Sequence, residues 1–84
     1  MDNRFLVEVF VPAAEEKFDV FIPADGRFAD VIQLIIGTVN ELCKEKYIAN
    51  DNTMLINRET GEIYRENMKI NELNIENGSK LMLI

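Results

Sequence analysis

The sequence predicts an α+β domain: a mixed sheet of four to five strands packed on one long helix. Three observations predict it. Apolar and polar residues alternate with period two over Phe5 to Val11 and again over Lys17 to Ile22. Between Phe28 and about Lys46 the polar residues recur every three or four positions. The chain then closes on the apolar stretch Lys80 to Ile84, introduced by the turn Asn77-Gly78-Ser79. A sheet face and a helix face of this kind must bury each other, which defines a two-layer domain. With 84 residues there is room for one core only, so residues 1–84 are expected to form a single domain.

In the first strand Phe5, Val7, Val9 and Val11 share one face, and Leu6, Glu8 and Phe10 share the other. Pro12 to Glu16 makes a loop. The second strand, Lys17 to Ile22, puts Phe18, Val20 and Ile22 on one face with Asp19 and Phe21 opposite, and Pro23 ends it. Two strands this close form a hairpin. Asp25-Gly26 signals the turn into the helix.

The helix carries its polar stripe at Asp30, Gln33, Gly37, Asn40, Glu41 and Lys44. Phe28, Val31, Ile32, Ile35, Val39 and Leu42 lie opposite and are assigned to the core. Cys43 falls on the flank of that face and is expected to be half-buried. Asp30 near the start and Lys44 and Lys46 near the end suit the helix dipole. Gly37 inside the helix costs roughly 1 kcal/mol relative to Ala and marks either close packing or a mild kink.

Asn50-Asp51-Asn52 reads as a polar loop. Met54 to Asn57 is a third strand, Glu59-Thr60-Gly61 a turn, and Glu62 to Arg65 a short fourth strand. An irregular crossover follows through Ile75, pinned by Met68, Ile70, Leu73 and Ile75. The last strand, Lys80 to Ile84, is expected beside the first, in the middle of the sheet.

The segment KINELNIENGSKLMLI, Lys69 to Ile84, resembles the closing segment of ubiquitin-like β-grasp domains. It has a buried aliphatic, a polar turn of helix, a second aliphatic, a short turn and then alternating Leu residues. Pro23 before the helix and Val31 one turn into it are similar to the same family. Within that family the chain looks most like the small bacterial YukD/EsaB proteins associated with type VII secretion, whose last strand also follows an Asn-Gly turn. The resemblance implies an accessory role in such a secretion system. Ubiquitin and its sulfur-carrier relatives act through a mobile tail ending in Gly-Gly. Here the last residue is Ile84, expected to be tied into the sheet, so the reading is of a non-conjugating domain.

Composition narrows the function classes further. A formal net charge of −6 repels phosphate backbones, so nucleic acid is not an expected partner. No apolar run approaches the ~20 residues a membrane helix needs, and MDNRFLVEVF lacks the pattern of a signal peptide. A cytoplasmic protein without direct membrane insertion is expected. The chain has no His, and its one Cys cannot form an internal disulfide. Glu15 and Glu16 are solvated loop charges. Asn50-Asp51-Asn52 lacks the Gly and Glu of a calcium loop, and Asn77-Gly78-Ser79 is read as a turn rather than a glycosylation site. No catalytic residue, metal ligand or cofactor site is predicted; the chain is not expected to be an enzyme.

The candidate site is the outer face of the sheet. If the odd positions of the first strand face the helix, Leu6 and Phe10 point away from it, with Phe21, Met82 and Ile84 beside them. Leu55 joins them on the parity assigned to the third strand. A one-layer sheet ordinarily shows water a polar outer face, so these residues predict a protein-interaction surface or self-association. Glu8 and Asp19 interrupt the patch, and acidic surroundings would favour a basic-rimmed partner. The competing classes are a homo-oligomerising subunit or assembly domain of a larger complex and, less favoured by an 84-residue chain without His, a small enzyme or carrier.

Overall fold

A computed structural model describes residues 3–43 and 53–84. The order of elements is β1 (Arg4–Val11), β2 (Glu16–Pro23), α1 (Phe28–Cys43), β3 (Leu55–Asn57), β4 (Ile63–Tyr64), a 3₁₀ turn (Ile70–Glu72) and β5 (Lys80–Leu83). The expected loop at Asn50 to Asn52 and the helix residues Lys44 to Lys46 lie outside the described residues.

One sheet of five strands runs β2-β1-β5-β3-β4. The two hairpins are antiparallel, while β5 runs parallel to β1 and antiparallel to β3. The last strand therefore sits in the middle, beside the first, as the sequence predicts. This is the ubiquitin-like β-grasp arrangement, with α1 packed across the inner face.

Alternation decides which residues meet the helix. Val7, Val9 and Val11 of β1, Val20 and Ile22 of β2, and Leu81 and Leu83 of β5 are all buried. In α1 the buried residues are Phe28, Val31, Ile35, Val39 and Cys43. Leu42, assigned to the core from sequence, is 51% exposed, and Cys43 is buried instead of lying on a flank. The reason is geometric. Each step of four residues turns ~40° beyond a full revolution, so successive steps rotate the buried row away from Leu42 and onto Cys43. Gly37 has nothing within 4 Å of the position its Cβ would take, so the close-packing reading fails.

The crossover before β5 is irregular but firmly tied. The Phe28 amide donates to the Met68 carbonyl at 2.8 Å, the Ile70 amide to the Gly26 carbonyl at 2.9 Å, and the Asn71 amide to the Ala24 carbonyl at 3.0 Å. The Ala29 amide, one of the helix's unpaired N-terminal donors, donates to Asn67 Oδ1 at 3.0 Å. Asn67 thus caps α1 from a distance of 38 residues in sequence, where an ordinary cap is the adjacent residue. Below these bonds Ile70 and Ile75 reach the core, with Leu73 packed against it.

The β3–β4 hairpin is organised by Asn57, whose Oδ1 accepts from the amides of Glu59 and Thr60. Its Nδ2 donates to the Tyr64 hydroxyl at 3.0 Å. Burial pushes the Tyr64 phenol above its ordinary value of 10.0; the Asn57 hydrogen bond opposes this and the nearby Glu62 charge adds to it.

Two outcomes are expected. Asn67→Ala should cost about 1 kcal/mol in denaturant unfolding, the usual loss for a helix cap; an unchanged midpoint would show that the distant cap is redundant. Because folded Tyr64 holds its proton more tightly than the unfolded chain does, its contribution is complete below the unfolded value and falls as pH rises through the folded one. Stability should therefore drop more steeply as pH rises above 10.0 in wild type than in Tyr64→Phe, measured by urea midpoints.

Candidate protein-interaction face

The register builds the outer face row by row. Leu6 stands opposite Phe21, and Phe10 stands opposite Lys17. On its other side Phe10 pairs with Met82, Met82 with Ile56, and Ile56 with Ile63. Phe10, Met82, Ile56 and Ile63 thus make one apolar row across β1, β5, β3 and β4.

Phe21 is 55% exposed, Ile84 41% and Leu6 37%, while Phe10 and Met82 are half-buried. Five of the six residues named from sequence therefore lie on the solvent side of the sheet or at its margin. Leu55 does not: it is fully buried. It pairs with Leu83, whose side chain is also fully buried, so β3 has the opposite parity and Leu55 faces the helix. Ile56 takes its place on the outer face. Ile56 is only 9% exposed but stands outside the core cluster beneath the sheet. A three-residue strand gives too little alternation to set its own parity; pairing with β5 sets it.

Charged side chains sit among these apolar ones. The Arg4 guanidinium lies over the Phe21 ring at 4.8 Å, and that of Arg58 over the Phe10 ring at 5.2 Å. Arg58 also donates to Glu8 Oε2 at 3.0 Å, and Lys17 Nζ lies 4.0 Å from Glu8 Oε1. Lys80 stands opposite Glu8 on the β5 side, and Asp19 opposite it on the β2 side. Among the described residues, the cations Arg4, Lys17, Arg58 and Lys80 thus share this face with the acids Glu8 and Asp19.

A groove of about 310 Å³ opens elsewhere, between β4 and the crossover, lined by Glu62, Tyr64, Glu66, Glu72 and Leu73 among others. The Glu72 carboxylate accepts from the Lys69 amide at 3.2 Å, a local structural task. No group of three or more His, Cys, Asp or Glu is placed to hold a metal ion among the described residues. Cys43 is buried in the core. Among the described residues no helix is long and apolar enough to cross a membrane.

No family model and no curated protein matches the chain. Solved structures do. The chain is similar to a component of an ESX-5 inner membrane complex free of MycP5, with TM-score 0.80 and 16% identity over 98% of this chain and 21% of that one. It is similar to the EccD5 ubiquitin-like domain from Mycobacterium xenopi, with TM-score 0.78 and 20% identity over 96% of this chain and 92% of that one. A third likeness is to the ubiquitin-like domain of the type VII secretion protein EccD1 from Mycobacterium tuberculosis, with TM-score 0.73 and 12% identity over 96% and 97% of the two chains. At these identities the likeness establishes the ubiquitin-like fold. The chain spans about a fifth (21%) of the ESX-5 component.

Arg58→Ala uncovers the Phe10 ring and removes one of the two cations beside Glu8, leaving Lys17. Both partners of the ion pair retain 29% side-chain exposure, so the expected loss is under about 1 kcal/mol. Thermal unfolding checks this; a larger loss would make Arg58 a structural clamp rather than a surface group.

Proposed function

We propose that the chain is a non-conjugating ubiquitin-like interaction module, cytoplasmic, that presents the outer face of its sheet to a protein partner as an accessory component of a type VII secretion system. The observation that carries the reading is the apolar row from Phe10 through Met82 and Ile56 to Ile63, flanked by exposed Leu6, Phe21 and Ile84. Burying such a row releases water from apolar surface at roughly 25 cal/mol per Å², and the surrounding charges select the partner. The secretion role draws on the likeness to EccD ubiquitin-like domains. The Ile84 amide and carbonyl both bond Met54, at 3.0 and 2.7 Å, which carries the sheet pairing to the margin of the face.

The test sets wild type beside Phe10→Asp with Met82→Asp. Both substitutions fall on the solvent side, so the variant should stay folded, with stability lower by about 1–2 kcal/mol from strand propensity and lost packing. Capture by immobilised protein, with bound chains identified by mass spectrometry, should recover type VII secretion components with wild type and not with the variant. Equal recovery by both would remove the sheet face from the interaction. A concentration-dependent mass in light scattering, lost in the variant, would convert the reading to self-association. A native mass corresponding to a longer chain ending in Gly-Gly would overturn the non-conjugating role.

A further inference from the structure

We infer that the outer edge of β2 is a second interaction surface and that its occupant is β2 of another copy of this chain. The two strands pair antiparallel, with Lys17 of each copy facing Asp19 of the other. This surface is the rim of the sheet, not its outer face, so it does not depend on what docks on that face.

Register fixes which way the backbone of β2 points. In an antiparallel pair every second residue bonds the partner strand, and the residues between turn their N–H and C=O groups away from it. The Ala24 amide donates to the Asn3 carbonyl at 2.8 Å, and the same register runs on to Glu16 opposite Val11. The even-numbered residues of β2 therefore bond β1. The other side of β1 has the matching parity. There the Glu8 amide donates to the Ser79 carbonyl at 3.0 Å, and the Gly78 amide to the Leu6 carbonyl at 2.8 Å. Lys17, Asp19 and Phe21 thus aim their backbone groups away from β1, and among the described residues no strand lies beyond β2. Pro23, which has no N–H, falls at an outward position where the sheet needs none. A row of such donors and acceptors is a template for another strand.

The side chains choose that strand. Asp19 stands opposite Glu8, and like charges directly opposite each other destabilise a strand pair. Glu8 has Arg58 at 3.0 Å and Lys17 at 4.0 Å, whereas Asp19 is exposed and makes no ion pair among the described residues. An added strand that sets a cation across from Asp19 answers a charge the fold leaves unmet, and β2 itself is such a strand. Asp19 facing its own counterpart would line up four carboxylates, Glu8 and Asp19 from each copy. Lys17 facing Asp19 alternates the signs instead and forms two identical ion pairs about a twofold axis. Lys17 can turn to make them, because its side chain is 57% exposed and Glu8 keeps Arg58 when it does. On the inner face the same register sets Phe18 against its counterpart, at a non-bonded position where side chains approach most closely. Phe18 is half-buried against the core, so the second copy covers the surface it still exposes. The two sheets become one, with both outer faces on the same side.

The test follows the mass of the protein by light scattering and its amide exchange by nuclear magnetic resonance, from micromolar to millimolar concentration. The expected result is a rise from one chain to two, with exchange slowed at the Lys17 and Asp19 amides, which have no acceptor within the sheet. Asp19→Pro removes an outward N–H that β1 does not use, and should abolish the rise while native spectral dispersion is kept. Lys17→Asp should weaken association at least roughly tenfold by setting like charges opposite each other, and Lys17→Asp with Asp19→Lys should restore it. This exchange of charges leaves the backbone intact, so it reads the register even where the proline perturbs the strand. A chain that stays single at millimolar concentration would overturn the proposal and leave the edge to an extended segment of another protein. Tighter association of Asp19→Asn would overturn the register. A dimer lost in Phe10→Asp with Met82→Asp but kept in Asp19→Pro would move the second copy to the outer face and overturn the edge.

Discussion

The structure depends on the insertion of β5 between β1 and β3. Among the described residues the two hairpins are not neighbours in the sheet; the order β2-β1-β5-β3-β4 joins them through β5. Leu81 and Leu83 of β5 are fully buried against the helix, and Met82 between them completes the outer row. Without β5 the inner layer would be two separate hairpins, each marginal in water. One four-residue strand therefore closes both the core and the candidate site.

That insertion carries an entropic cost, because it pairs residues near the two ends of the chain. Closing so long a loop before contacts reward it slows folding relative to a helical bundle of the same size. The crossover offsets part of the cost. Its amides and carbonyls at Met68, Ile70 and Asn71 bond the segment from Ala24 to Phe28, and Asn67 caps α1. The turn at Asn77 to Ser79 continues the stitching: the Leu6 amide donates to Asn77 Oδ1 at 2.8 Å, and the Gly78 amide to the Leu6 carbonyl at 2.8 Å. Gly78 holds φ at +90°, where a side chain is strained, so this turn has a specific reason for glycine. The polar residues of a stretch that looks irregular in sequence are the ones that deliver β5 to its place.

This division explains what the sequence discloses. Long elements are legible, since eight residues of alternation in β1 and β2 fix their faces and place Leu6, Phe10 and Phe21 outside. The buried row of α1 is legible for three turns and then drifts, which misassigns Leu42 and understates Cys43. Short elements are not legible, because three residues of β3 have no periodicity of their own. Leu55 and Ile56 are chemically alike, and only pairing with Leu83 and Met82 tells them apart. The distant cap by Asn67 and the arginines over the Phe rings are tertiary facts as well. Arg58 is 48 positions from Phe10, and nothing in either local sequence signals the other.

The outer face combines two requirements that usually conflict. A sheet covered on one side must keep its other side compatible with water, while a docking surface must offer apolar area. Here the apolar groups are packed side by side in one row, which already buries Ile56 to 9% exposure without any partner. Arg4 and Arg58 lie over the two Phe rings and present charge to solvent. Long cationic side chains suit this because their stems and planar heads cover apolar surface while their N–H groups stay hydrated. The face of the free domain is thereby kept hydrated by the same groups that partly cover its apolar surface. A partner that buries these guanidinium groups must leave their polar bonds in place, such as that from Arg58 to Glu8 at 3.0 Å, or replace them, because burying a charge without one is costly. The same covering that protects the face thus sets which surfaces can displace water from it.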